Sequence, residues 1–158
     1  MNIPWAPWRV TYIQQSKHKK CILCTIGKNR KEDNKNLVLL RGKYTFSLLN
    51  LYPYNNGHFM TCPLRHTKTL EGLRKEEIAE LFDMIKKTKR LTDKALRPNA
   101  YNIGLNLGRV SGAGILGHIH VHVVPRWHGD TNFMPVLAHT KVMPQSLASL
   151  YRKLRKVQ

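Results

Sequence analysis

The stretch Gly117–Trp127, GHIHVHVVPRW, alternates His118, His120 and His122 with Ile119, Val121 and Val123. Successive side chains of a β-strand point to opposite faces, so this spacing predicts a strand with three imidazoles on one face and aliphatic residues on the other. Neighbouring histidines of such a row stand about 6.6 Å apart at Cα, two rises of the strand. On spacing alone the row is equally a metal-binding edge strand or an exposed strand that happens to carry histidines. Pro125 and Arg126 are expected to end the run, because proline cannot continue a central ladder.

Working outward from this strand, a second segment, LLNLYPYNNGHFMTCPLRH (Leu48–His66), sets Asn50 ahead of the Gly57-His58 pair and follows it with Cys62-Pro-Leu-Arg. Together with HIHVHVV it resembles the signature of the histidine triad nucleotide hydrolases and transferases. WAPWR near the start and PRWHGDTNFMPV after the triad are similar to a bacterial branch that includes diadenosine polyphosphate phosphorylases.

The fold class expected is α+β. The short apolar runs Leu37–Leu40 and Thr45–Leu49 flank Arg41-Gly42-Lys43 as a hairpin, and His58–Leu64 follows a turn rich in proline, asparagine and glycine. From Glu71 to Arg97 the period changes. Ile78, Leu81, Phe82 and Ile85 fall at i, i+3, i+4 and i+7, one face of an amphipathic helix that Pro98 stops. Thr88, Lys89 and Thr92 interrupt the stripe, so the second half of this helix is expected to be more exposed. Ala100–Leu107 reads as a strand, the glycine-rich Gly108–Gly117 as a loop and Met134–Val142 as irregular. Pro144–Val157 reads as a short basic helix with Leu147, Leu150, Tyr151 and Leu154 on one side. Met1–Gln15, with Trp5, Trp8 and Tyr12, is expected to be an arm packed on the body or on a second subunit. Residues 16 to 36 read as a polar, basic loop around Cys21 and Cys24. Strands, then a helix, then two strands suit an antiparallel sheet in one domain spanning residues 1–158. The resemblance implies the same: a five-stranded antiparallel sheet with one long helix and a short C-terminal helix, paired into a homodimer across a continuous sheet.

Composition bounds the function. The 158 residues can hold a real core. No apolar run reaches the length of a membrane span, and MNIPWAPWRV does not read as a signal peptide. Three cysteines, an odd number, argue against a disulfide framework, and a cytoplasmic protein without membrane attachment is expected. Lys plus Arg is 27 against 9 Asp plus Glu, a net charge of +18. That balance suits a polyphosphate ligand and equally nonspecific nucleic-acid binding. The basic residues are scattered over 17–20, 28–31, 86–90 and 152–156, so no dedicated nucleic-acid module is indicated.

The chemistry these residues can carry is phosphoryl transfer, which needs an in-line nucleophile and donors around the phosphate oxygens. A neutral imidazole can attack phosphorus and form a phosphoramidate. The resemblance implies that His120 attacks, that His122 contacts the phosphate and leaving side, and that His58 supports the triad. It also implies Asn50 at the ribose hydroxyls and Asn106 at the loop entrance. Gly114, in a loop that can bring backbone N–H groups to a phosphate, and Trp127 are further candidate nucleotide contacts. Many family members carry Gln then Ser or Thr where this chain has Gly114-Ile115. A dinucleoside polyphosphate is the substrate expected, with inorganic phosphate favoured over water as acceptor.

Cys21-x-x-Cys24 fits two thiolates on one zinc, and on its own equally a redox pair or an incidental spacing. The zinc-bearing members of the family use a histidine at the place of His66 together with the first triad histidine. The resemblance thus implies one structural zinc per chain on Cys21, Cys24, His66 and His118. Cys62 reads as a small buried residue. Two rival readings are a basic nucleic-acid-binding protein with a zinc-supported fold and a metallohydrolase with all three triad histidines on one catalytic metal. Both leave residues without a task, the first NGH and Asn50, the second the separate thiolates and His66.

Overall fold

The computed structural model describes residues 21–138 and 142–158. The N-terminal arm with Trp5, Trp8 and Tyr12 lies outside them. The elements in chain order are α1 (Ile22–Lys28), a 3-10 turn (Arg30–Glu32), β1 (Val38–Arg41), β2 (Thr45–Leu49), β3 (Phe59–Pro63), α2 (Lys75–Leu96), β4 (Ala100–Leu105), β5 (Val121–Arg126), α3 (Met134–Ala138) and α4 (Leu147–Lys156). The strands form one antiparallel sheet in the order β1-β2-β3-β5-β4. The α+β class, the five-stranded antiparallel sheet, the long helix and the C-terminal helix are as expected from the sequence.

Both faces of the central strands are covered, and every residue of β2 and β3 is buried. On one face α2 and α4 pack Leu81, Ile85, Leu91, Leu150, Tyr151 and Leu154 against Leu39, Leu49, Phe59, Val121 and Val123. On the other face Leu23 and Ile26 of α1 pack against Val38, Phe46, Leu48, Met60 and Cys62. Alternation along β2 therefore splits Phe46 and Leu48 from Ser47 and Leu49.

Four expectations are corrected. Residues 16 to 36 are no mere loop: from Ile22 to Lys28 they form α1, which has its own core on Leu23 and Ile26. Arg41 ties down the helix end, donating to the carbonyls of Ile26 and Gly27 (2.8 Å each) while paired with Asp33 (2.6 Å). The stripe of α2 is rotated from the expected one. Glu77, Leu81, Met84, Ile85, Thr88, Leu91 and Thr92 are buried, whereas Ile78 and Phe82 are exposed, Phe82 by 60%. The threonines enter the core because their hydroxyls are satisfied there. Thr88 Oγ1 lies 2.7 Å from Ser47 Oγ, and Thr92 Oγ1 donates to the Thr88 carbonyl at 3.0 Å. The three histidines do not share one strand: β5 begins at Val121, so His118 and His120 lie ahead of it and only His122 is within it. The run ends at Pro125 and Arg126 as expected, beyond the last β3 pairing at Phe59–Val123. Met134–Ala138 is a short helix and not irregular.

β4 is an edge strand, and it is exposed along nearly its whole length. Ile103 (52% exposed) and Leu105 share the face of Tyr101, whose hydroxyl donates to Asp93 of α2 at 2.7 Å. No described helix is long and apolar enough to cross a membrane.

Candidate functional site: a histidine relay beside a Cys/His cluster

The three triad histidines are held differently. His122 lies in β5, paired with Met60 of β3 and Gly104 of β4. His118 and His120 lie in the extended segment just ahead of β5, which is held by Ile119 N–H donating to the Thr67 carbonyl at 2.8 Å. The rings of His120 and His122 are 4.8 Å apart, edge to face.

Each imidazole has its proton assigned by a partner. His120 Nδ1 donates to the His118 carbonyl at 2.8 Å, leaving the Nε2 lone pair free. The Tyr54 backbone N–H donates to His58 Nδ1 at 3.0 Å, so the proton of a neutral His58 is on Nε2. His58 Nε2 is 3.0 Å from His122 Nδ1 and donates to it, which leaves the His122 proton on its own Nε2. The result is one lone pair, on His120, beside one N–H donor, on His122.

Burial keeps these rings neutral. His58 is fully enclosed, and burial followed by the proximity of His122 and His120 pushes its pKa down to about 3. Burial and then the nearby His120 lower His122 to about 4. Burial also lowers His120, the bond to the His118 carbonyl opposing it.

The histidines open onto a cleft that also touches Asn50, Gly112 and Gly114. Its floor is Leu48 and Met60; its roof is Ile22, Leu23 and Ile26 of α1. Asn50 is buried, with its Oδ1 accepting from Tyr52 N–H at 3.0 Å. Gly112, at φ +85, supplies a backbone conformation that a side chain disfavours, which lets the glycine-rich loop close over the cleft. His120, His122, Asn50 and Gly114 thus share one cleft, with His58 behind it. Asn106 and Trp127 are outside its wall. The Trp127 indole N–H donates to the Leu96 carbonyl at the end of α2, 3.3 Å away. His128 is exposed.

Tyr54 and the α1 roof were not singled out from the sequence. The Tyr54 ring lies tilted against both rings, its centroid 4.6 Å from His58 and 5.6 Å from His122. Its place four residues before His58 was the available signal, but only the folded turn brings its amide back onto the imidazole.

Cys21, Cys24, His66 and His118 come together, their ligand atoms all within 4.8 Å of one another. Cys24 Sγ is 3.2 Å from His66 Nδ1 and 3.4 Å from His118 Nδ1, and Cys21 Sγ is 3.4 Å from His118 Nδ1. Sulfur and nitrogen on a tetrahedral zinc are roughly 3.6 Å apart, given bonds of about 2.3 and 2.05 Å. His118 Nε2 donates to the Pro63 carbonyl at 2.8 Å, which turns the Nδ1 lone pair toward the sulfurs, the usual outer-shell arrangement of a histidine ligand. The donor set therefore fits zinc. Arg65, next to His66, anchors the same segment through Glu77 of α2 (2.6 and 2.8 Å). Without a metal, burial and the neighbouring Cys21 raise the Cys24 thiol to about 11.

Residues 31–129 match the family model described as the HIT domain. An AP-4-A phosphorylase of Mycobacterium tuberculosis (strain H37Rv) is 39% identical over 157 residues, covering 95% of this chain and 80% of that protein. The asymmetrical bis(5'-nucleosyl)-tetraphosphatase of Schizosaccharomyces pombe is 31% identical over 115 residues, 72% of this chain and 63% of that one. Among solved structures, a Zn-bound histidine triad family protein from Mycobacterium smegmatis shares the fold with a TM-score of 0.69 at 24% identity, covering 87% of this chain and 92% of that one. The HIT domain match, the relatives aligned along most of the chain and the histidine row that leads into β5 point to one conclusion: this chain belongs to the histidine triad family.

Proposed function

We propose that this protein cleaves dinucleoside polyphosphates at the α-phosphate through a nucleotidyl-histidine intermediate, with inorganic phosphate as the favoured acceptor. The observation that carries this reading is the His120 Nδ1–His118 carbonyl bond, which leaves a neutral, uncommitted Nε2 at the mouth of the cleft. Names of the relatives, a phosphorylase and a tetraphosphatase, support the substrate class.

In the first step His120 Nε2 forms a bond to the α-phosphorus as the bond to the bridging oxygen breaks. Diadenosine tetraphosphate would release ATP and leave adenylate on His120. The positive charge on the nucleotidylated ring is stabilised through Nδ1–H by the His118 carbonyl. His122 Nε2–H is the donor for the departing oxygen, and His58 holds it in that tautomer. Asn50 faces the ribose, and the loop at Gly114 offers its backbone to the phosphates. In the second step a phosphate oxygen attacks the same phosphorus, the P–N bond breaks and ADP leaves. Water in that role would give AMP instead. Gly114-Ile115 crowds the loop less than a Gln-Ser/Thr pair, and the charge of +18 favours an anionic acceptor.

A zinc ion held by Cys21, Cys24, His66 and His118 would be structural, a closed set of four protein ligands supplying folding energy and no reaction step. A homodimer is also part of this reading. Among the described residues, the edge of β4, with Ile103 and Leu105, and the exposed Ile78 and Phe82 of α2 are unpaired apolar surface of the kind that continuous-sheet pairing covers.

The test is product analysis of diadenosine tetraphosphate across a phosphate titration, in wild type and His120→Ala. ATP plus ADP with phosphate, and a loss of several orders of magnitude in His120→Ala, are expected. AMP as the partner product at every phosphate concentration would make water the acceptor. Undiminished turnover in His120→Ala would refute the intermediate.

A further inference from the structure

The cleft runs across the sheet. His122 on β5 pairs with Met60 on β3, Met60 with Leu48 on β2, and Leu48 with Val38 on β1. Strands lie about 4.8 Å apart, so β1 is roughly 14 Å from the strand of His122. A nucleotide with its α-phosphate at His120 would lay its base between Leu48 and Met60 below and Ile22, Leu23 and Ile26 above. Such walls hold a flat ring and cannot tell one base from another, since they offer no donors or acceptors.

The far end is different. Asn36 lines the cleft there, just before β1, half-buried, and its carboxamide has no hydrogen-bond partner among the described residues. Its backbone is clamped: Asn36 N–H donates to the Glu32 carbonyl at 2.9 Å, and the Leu37 carbonyl accepts from Leu49 N–H at 3.0 Å. Leu37 holds φ at +56°, a left-handed conformation uncommon for a bulky residue, and packs against the core on the α2 side of the sheet. Backbone strain of this kind persists where the surroundings enforce it and is concentrated at ligand sites. Lys35, also at this end, is exposed and pairs with Glu32 at 3.4 Å.

We infer that Asn36 reads the edge of the bound base and selects adenine. The inference rests on the reading of this cleft as a nucleotide site. A carboxamide presents one acceptor beside two donors, which matches the N6 amino group and N7 along one edge of adenine. Guanine presents two acceptors, O6 and N7, on the corresponding edge, and a carboxamide cannot satisfy both with its paired donor and acceptor.

The experiment measures AMP and GMP affinities by calorimetry in wild type and Asn36→Ala, alongside turnover of diadenosine tetraphosphate. Wild type should bind AMP about tenfold or more tightly than GMP, the worth of one good bidentate contact. Asn36→Ala should bring the AMP/GMP ratio close to one at an unchanged melting temperature. Equal affinities in wild type, or a ratio unmoved by Asn36→Ala, overturns the inference. Binding of neither nucleotide overturns it together with the nucleotide-site reading. Discriminated AMP binding that Asn36→Ala abolishes, without any cleavage, refutes only the proposed reaction and supports the role of Asn36.

Discussion

His58 Nε2 donates to His122 Nδ1 across 3.0 Å, and the direction of that bond is set by a third group, the Tyr54 amide on the opposite nitrogen of His58. The order holds only while His58 is neutral. A proton on Nδ1 would face the Tyr54 N–H, donor against donor.

Acid should therefore destabilise the fold through this pair. The folded-state pKa values of His58, about 3, and His122, about 4, lie below the ordinary 6.5, so the unfolded chain binds protons first as pH falls. The contribution of neutral burial is complete above pH 6.5 and is lost progressively as pH falls toward 4 and 3. Urea midpoints between pH 7.5 and 4 should fall, and less steeply in His58→Gln, which carries no titrating group there. A midpoint that rises on acidification would contradict this.

Metal content gives a second expected outcome. Purified protein should carry about one zinc per chain, as a closed four-ligand site requires. Cys24→Ala should lose it and melt at a distinctly lower temperature, because binding energy at such a site is folding energy. Elemental analysis with thermal unfolding checks both. Metal-free protein that melts like the metal-loaded form would refute the structural role.

The apolar edge predicts assembly. Phe82→Glu combined with Ile103→Asp places charge on surfaces that are open in a lone chain, so each chain should still fold. Light scattering should then show the mass halve from dimer to monomer. A wild-type protein that is already monomeric at micromolar concentration would dispose of the idea.

Arg97 closes α2 in the left-handed conformation, φ +49° and ψ +55°, with its N–H on the Asp93 carbonyl at 3.0 Å. Glycine adopts this conformation without the Cβ clash and is the usual residue at such a helix end. Arg97→Gly should stabilise the protein by about 1 kcal/mol, raising the melting temperature by about 3 °C. Calorimetry showing a lower melting temperature would mean that the arginine side chain contributes more than its backbone costs.

Much of the site was legible because its signals are local. The alternation of His118, His120 and His122 needs no knowledge of distant residues, and the NGH turn and the Cys pair carry their own spacing. What stayed hidden depends on partners far along the chain. Thr88 looks like a solvent residue until Ser47 arrives to share a hydroxyl bond. Glu77 is buried because Arg65 and the Arg74 N–H meet its carboxylate. Phe82 looks like core and is not, since the stripe turns on those buried polar positions. α1 is too short for a periodicity signal, and its fold relies on Arg41 and on the packing of Leu23 and Ile26 over β2 and β3.

The placement of α1 ties two equilibria together. Cys21 and Cys24 stand at its start, while Ile22, Leu23 and Ile26 of the same turns roof the cleft. An ion that orders the cysteines would also fix the ceiling against which a ligand packs. Linkage then works in both directions: by whatever factor chelation weakens ligand affinity, bound ligand must tighten the hold on the ion by the same factor. The chelator concentration that strips half of the protein at equilibrium thus becomes a measure of how full the cleft is.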